Sequence, residues 1–162
     1  MEYTLQVGDE LPMTVHSWDE IEQRINQARA LGPIDVSLDQ VLGEHTGFKG
    51  KMLRFLGVGT TIQGKQFAVL FNGEYASPYC LDEFTYEHLP VRPANSSSGE
   101  VVEFQLLAGS RVVEPIRDCF PSEEAMRMIR HFYEHGELPN WITWKKTEER
   151  FAVRQRSAAD ES

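Results

Sequence analysis

The chain has 162 residues, of which 41% are hydrophobic, and 16 Lys and Arg against 25 Asp and Glu give a net charge of −9. The size suffices for one soluble globular domain with its own core. The acid excess argues against a nucleic-acid ligand, because phosphate binding needs clustered Lys and Arg. It fits a partner with a basic surface, although solubility alone explains it equally well. Met1–Thr4 lacks a signal-peptide pattern and no stretch approaches a membrane span, so we expect a cytoplasmic protein that does not contact membranes.

The N-terminal part predicts a strand, a helix and a second strand. Glu2–Val7 has the alternation of a strand and is followed by a Gly-Asp turn. Ser17–Glu20 forms a capping box that opens an amphipathic helix, and Gly32-Pro33 ends that helix. Ile34–Leu38 is a short strand candidate.

The central part predicts an antiparallel meander. Met52–Ile62 is rich in β-formers, Gln63-Gly64 is typical of a hairpin turn, and Gln66–Phe71 returns as the next strand. Asn72-Gly73 is the strongest short hairpin signal in the chain. Glu74–Tyr79 then forms the third strand of the meander.

The C-terminal part predicts a hairpin, a helix and a final strand. Arg92–Gly99 is a polar loop, and Val101–Leu107 with Arg111–Glu114 flank a turn. Cys119–Trp144 contains one helix with an apolar stripe, then a stop at Gly136, where glycine permits the left-handed conformation, then strand formers.

This order of elements predicts the α+β class. We expect an antiparallel sheet of about five to seven strands with two main helices packed on it. A single domain spans residues 1–145, and residues 146–162 form a charged tail that is either helical or disordered. Two distant cysteines without metal-ligand spacing indicate reduced structural thiols.

The unit around the last helix resembles the immunity protein 1 family, small bacterial proteins that neutralise polymorphic toxins. In that family a helix ends in an aromatic residue, a Gly-x-x-Pro stop follows, and an apolar strand ends in Trp. The matching positions here are Phe132, Gly136, Pro139, Ile142 and Trp144. The resemblance covers the last third of the domain well and its central strands loosely.

The resemblance implies an antiparallel sheet with helices on one face, and tight inhibition of a toxin without catalysis or a cofactor. The toxins paired with this family are often nucleic-acid-acting enzymes such as nucleases and deaminases, which need positive grooves. Phe132, Pro139 and Trp144 are expected to be scaffold residues rather than binding residues.

One stretch is the best candidate for a partner-binding surface. From Gln66 to Val91 the chain has no Lys or Arg, while acids alternate with aromatic residues. Such a mixture is typical of a recognition surface for a basic protein. The alternative is that the tyrosines fill a sheet face and the acids solvate turns. The predicted partner-binding residues are Glu74, Tyr75, Tyr79, Asp82, Glu83, Tyr86 and Glu87.

Two other functions stay open at this point. His131, Glu134 and His135 match the H-x-x-E-H pattern of inverted zinc peptidases, in which two histidines hold zinc and the glutamate acts as general base. The helix stops directly after His135 and the pattern lacks an obvious third ligand, so a solvated helix face is favoured. A generic protein-binding adaptor domain is the remaining alternative.

Overall fold

The computed structural model describes residues 1–44, 49, 52, 61–92, 99–106 and 110–150. The predicted β-rich run before Thr61, the polar loop after Arg92 and the tail after Arg150 lie outside the described residues. The main helices are α1 (Trp18–Arg29) and α2 (Ser122–His135). The strands are β1 (Glu2–Val7), β2 (Met13–Val15), β3 (Ile34–Glu44), β4 (Thr61–Asn72), β5 (Tyr75–Leu81), β6 (Tyr86–Val91), β7 (Val101–Gln105), β8 (Arg111–Pro115), β9 (Phe120–Pro121) and β10 (Thr143–Arg150).

The strands confirm the predicted α+β class. The main sheet has eight strands, seven of them in the order β10-β6-β5-β4-β3-β1-β2, with the short β9 pairing beside β5. All recorded strand pairs are antiparallel, and β7 with β8 forms a separate two-stranded ribbon. The sheet is larger than the predicted five to seven strands because the short β2 and β9 also join it.

The helices cover one face of the sheet. Strand residues alternate between its two faces, so every second side chain points toward the helices. In β4, Phe67, Val69 and Phe71 point toward the helices and belong to the main core, together with Ile25 of α1 and Phe132 of α2. The Phe67 and Phe132 rings stack at a centroid distance of 5.3 Å. The main core therefore lies between the sheet and the two helices.

The β7–β8 ribbon contacts the opposite face of the sheet. Leu70 of β4 packs there with Val102, Phe104 and Cys119, all buried. The side chain of Asn72 donates a hydrogen bond of 2.7 Å to the carbonyl of Glu103 in the ribbon. A second, smaller core therefore fixes the ribbon on this face.

Several local predictions are confirmed. Ser17 caps α1 and accepts a hydrogen bond from the amide of Glu20. Gly73 has φ of 61° in the predicted turn between β4 and β5, and Gly136 ends α2 with φ of 70°. Each glycine stands where a β-carbon would be strained. Phe132 is fully buried, which agrees with its expected scaffold role.

The predicted hairpin turn at Gln63-Gly64 is wrong. Both residues lie inside the continuous strand β4, where β3 and β4 change register. A β-carbon on Gly64 would lie 3.0 Å from Oε1 of Gln40 and 3.1 Å from Cδ2 of Leu42. The glycine therefore permits a close approach between strands. A glycine in this role gives the same Gln-Gly pattern as a hairpin turn.

The final strand also continues further than expected. β10 spans Thr143–Arg150 and pairs with β6 along the edge of the sheet. Residues 146–150, assigned to the charged tail from sequence, are therefore part of the domain. The many charged side chains in this stretch are typical of an edge strand.

Candidate functional site

The turn between β5 and β6, residues Asp82–Thr85, is built around one carboxylate. Oδ1 of Asp82 accepts hydrogen bonds from the amides of Phe84 at 3.0 Å and Tyr86 at 2.9 Å. The amide of Thr85 donates to the Asp82 carbonyl at 2.8 Å, and the amide of Asp82 donates to the Tyr86 carbonyl. We call this segment the β5–β6 turn. Its backbone conformation is fixed by one side chain and two main-chain bonds.

The second oxygen of the same carboxylate links the turn to two other strand positions. Oδ2 of Asp82 lies 3.2 Å from Nε2 of His88 and 3.0 Å from Nζ of Lys146. Partial burial tends to raise the pKa of Asp82, but hydrogen bonds from His88, Lys146 and the turn amides outweigh it and lower the pKa to about 2. The ammonium group of Lys146 also lies 4.0 Å from the ring centroid of Tyr86. Asp82 is thus an ionised anchor for the turn.

The turn presents an acidic and an aromatic side chain to solvent. Glu83 is exposed, and Phe84 is 59% exposed. Thr85 has φ of 66°, a left-handed conformation that is costly for a β-branched residue. Strain of this kind persists only where surrounding bonds enforce it, and it is concentrated at functional sites. A rigid turn with an exposed phenylalanine beside an acid is suited to protein recognition.

The sheet face opposite the helices buries two acidic side chains that lie in one cross-strand row. Asp39, Gln66, Leu81 and Glu87 are cross-strand neighbours on β3, β4, β5 and β6. Burial raises the pKa of Asp39, and hydrogen bonds from Gln66 and Ser37 offset part of that effect. Asp39 and Glu87 are each 8% exposed. This part of the protein's negative charge therefore lies in the interior.

Tyr79 lies at the centre of this internal acidic region. The pKa of its hydroxyl is raised chiefly by burial. The neighbouring carboxylates of Asp35, Glu87 and Asp39 raise it further. The half-buried Glu114 on β8 has its pKa raised by burial, while the Ser77 hydroxyl offsets part of the effect. These carboxyl groups and the Tyr79 hydroxyl therefore lie close together, and burying them has a cost in stability.

The structure spreads the predicted partner-binding residues along β5 and the start of β6, so they do not form one cluster. Glu74 and Tyr75 lie at the beginning of β5, whereas the other end leads into the β5–β6 turn and brings Asp82, Glu83 and Tyr86 together. Glu74 and Glu83 are exposed, four of the set are half-buried, and Glu87 is buried. Their role in partner binding stays a prediction.

Lys146 and Asp39 were missed from the sequence. Lys146 belonged to the assumed tail, and only the pairing of β10 with β6 brings it to Asp82. Asp39 continues the alternation of apolar and polar residues along β3, which is typical of a solvent-exposed position, so the pattern gave no signal for a buried acid.

In the part of the chain that the structure describes, the histidine pair has no third side chain that would complete a metal centre. The rings of His131 and His135 stack at 4.3 Å, and His131 also packs edge-on against Trp141. Glu134 pairs with Arg130 at 2.8 Å. Within the described residues, no group of three or more His, Cys, Asp or Glu side chains could hold a metal ion. Both cysteines are buried free thiols, and burial raises the pKa of Cys80 to about 12 and that of Cys119 to about 11.

No protein-family model matches the chain, and no curated protein matches it. Among the described residues, no helix has both the length and the apolar character needed to cross a membrane.

Proposed function

We propose that this protein is a cytoplasmic immunity protein, which binds a cognate bacterial toxin domain and blocks it without catalysis. The proposal extends the family resemblance of the C-terminal unit. The observation that carries it is the β5–β6 turn, where Asp82 rigidly holds a backbone that exposes Glu83 and Phe84.

The rigidity of the turn supports a binding role. A loop that is ordered before association loses less conformational entropy when a partner binds. Phe84 offers an aromatic anchor for a pocket on the partner, and such anchors dominate the energy of many interfaces. Glu83 stands beside it, and a carboxylate at that position favours a basic counterpart.

The charge of the chain supports a basic partner. A net charge of −9 speeds the encounter with a positively charged protein by electrostatic steering. Toxin domains that act on nucleic acids carry positive grooves for their substrates, so an acidic protein that occupies such a groove would block them. We therefore expect the toxin to be a nuclease or a deaminase.

The structure also selects the residues for a clean test. Asp82 anchors the turn and Glu87 is buried, so Lys at either position would disturb folding as well as charge. Glu83 is exposed and Phe84 largely so. The pair Glu83→Lys and Phe84→Ala therefore changes the surface and leaves the bonds of Asp82 in place.

The first experiment co-expresses the protein with the product of each adjacent gene and measures growth and co-purification. We expect one adjacent product to be toxic alone, harmless with the immunity protein, and bound to it in a stable complex. Glu83→Lys with Phe84→Ala should weaken both effects, whereas Glu22→Lys and Trp141→Ala, exposed elsewhere, should not. A locus without any toxic neighbour would favour the adaptor alternative over immunity.

A further inference from the structure

A cavity of about 670 Å³ lies at the end of β5 that is remote from the β5–β6 turn. It is lined by residues from the end of α1, the β4–β5 turn, the end of β6 and the segment that leads into α2. Its volume lies within the range of small-molecule sites, roughly 300–1,000 Å³. The lining includes Arg29, Arg92, Arg117, Tyr75, Ile116 and Glu123.

Three arginines from separate parts of the chain line this cavity, although the chain is strongly acidic. Arg29 lies over the ring of Phe71 at 4.9 Å, and Arg92 lies over the ring of Phe120 at 5.4 Å. Arg92 also donates to the carbonyl of Cys119. These contacts orient two of the groups, and since a guanidinium has five N–H donors, each keeps further donors for a ligand.

The third group is the most accessible. The Arg117 side chain is 53% exposed, and its nearest recorded acid, Asp118, is 3.9 Å away and 60% exposed. A contact of that length between exposed groups holds the side chain only weakly. Arg117 can therefore turn toward a ligand in the cavity at small cost.

The cavity also contains a built-in competitor for the arginines. Oε1 of Glu123 lies 3.5 Å from Nη2 of Arg29, and the Glu123 side chain is 86% exposed. Solvent screens such a pair, so a ligand anion can displace it. The backbone amide at the start of α2 is not the recognition group, because the amide of Ser122 already donates to the carbonyl of Glu74 at 2.8 Å.

We propose that this cavity, which we call the arginine cavity, binds a phosphate or carboxylate group carried on a flat, apolar body. Guanidinium groups only donate hydrogen bonds, so the ligand must supply acceptor oxygens, and they match the geometry of both oxyanions. Tyr75 and Ile116 give the wall apolar surface, which suits a ring attached to the anion. The cavity lies at the other end of β5 from the β5–β6 turn, although its lining includes Glu74 and Tyr75 of the predicted partner-binding set.

The test titrates the ¹⁵N-labelled full-length protein with phenyl phosphate and with benzoate and follows amide and arginine side-chain resonances by NMR. Neutral benzamide is the ligand control. We expect saturable shifts at Tyr75, Ile116 and Arg117 with at least one anion and none with benzamide. The anion that binds more tightly identifies the group as phosphate or carboxylate.

Two variants should change affinity in opposite directions. Arg117→Gln should weaken binding about ten-fold by removing a charge-assisted hydrogen bond, and Glu123→Gln should strengthen it about three-fold by removing the competitor. Arg127→Gln, on the exposed part of α2, is the matched control and should have no effect. The proposal is overturned if neither anion gives saturable shifts at about 10 mM, a concentration that detects millimolar affinity. It is also overturned if Arg117→Gln binds as the unmodified protein does.

Discussion

Nζ of Lys146 lies 3.0 Å from Oδ2 of Asp82, a residue 64 positions earlier in the chain. This contact ties the edge strand β10 to the β5–β6 turn, and the same ammonium group covers the ring of Tyr86. The turn is therefore held from both sides, by its own amides and by a lysine from the last strand. Its shape depends on the docking of β10.

Replacing Lys146 with Met should raise the pKa of Asp82, because one of the hydrogen bonds that lower it is lost. The free energy of unfolding should change by less than about 1 kcal/mol, since the Lys146 side chain is half exposed. Carbonyl ¹³C NMR of the Asp82 side chain against pH measures the shift. An unchanged Asp82 titration would show that the lysine does not stabilise the carboxylate in solution.

Replacing Asp82 with Asn should destabilise the protein at neutral pH but not in strong acid. The pKa of Asp82 in the folded state is about 2, below the usual value near 4 of an aspartate. A carboxyl with a depressed folded pKa stabilises above its unfolded pKa, and that contribution is lost as pH falls through the folded value. Urea unfolding from pH 7 to pH 2 should therefore show a difference between the two proteins that shrinks between about pH 4 and pH 2. A difference independent of pH would mean that hydrogen-bond geometry, not charge, holds the turn.

Replacing Thr85 with Gly should stabilise the fold by about 1 kcal/mol, because glycine adopts φ of 66° without the penalty of a β-branched side chain. Thr143→Gly, at the start of the edge strand, is the control and should destabilise. Denaturant unfolding measures both. A loss of stability at position 85 comparable to that of the control would show that the Thr85 side chain makes contacts that outweigh its strain.

Replacing Asp39 with Asn should raise the stability at neutral pH. Burial raises the folded pKa of Asp39, so the folded state binds its proton more tightly than the unfolded chain does. Stability from this group therefore falls as pH rises from the unfolded pKa through the folded one, and the penalty persists above it. The variant removes the charge, so it should be more stable than the unmodified protein at pH 7. This difference should vanish near pH 3, about one unit below the usual pKa of an aspartate, where Asp39 is protonated in both the folded and the unfolded state. Thermal unfolding of both proteins at the two pH values measures this difference. A variant less stable than the unmodified protein at pH 7 would refute the prediction.

Local signals in the sequence predicted much of the fold. The Ser17 cap, the Asn72-Gly73 turn and the Gly136 stop depend on neighbouring residues alone, and all three are present. Gly64 was wrongly assigned to a turn, because the feature that requires a glycine there is the nearby Gln40 side chain on another strand. A short pattern does not contain information about such a neighbour.

The candidate site could be predicted only in part. The run without Lys or Arg pointed to Asp82 and Glu83, but composition does not separate an anchor from an exposed contact. That separation comes from the hydrogen bonds of Asp82 and from the burial of Glu87. The arginine cavity was not predicted, because its arginines lie far apart in sequence and only the folded chain brings them to one cavity.

We propose that the protein inhibits an adjacent toxin by binding it through the β5–β6 turn. The direct measurement titrates the purified toxin domain with this protein and follows residual toxin activity on its nucleic-acid substrate. We expect stoichiometric inhibition by the unmodified protein and a large loss of inhibition in the folded Glu83→Lys, Phe84→Ala variant. Full toxin activity at excess unmodified protein, or equal inhibition by the variant, would contradict it.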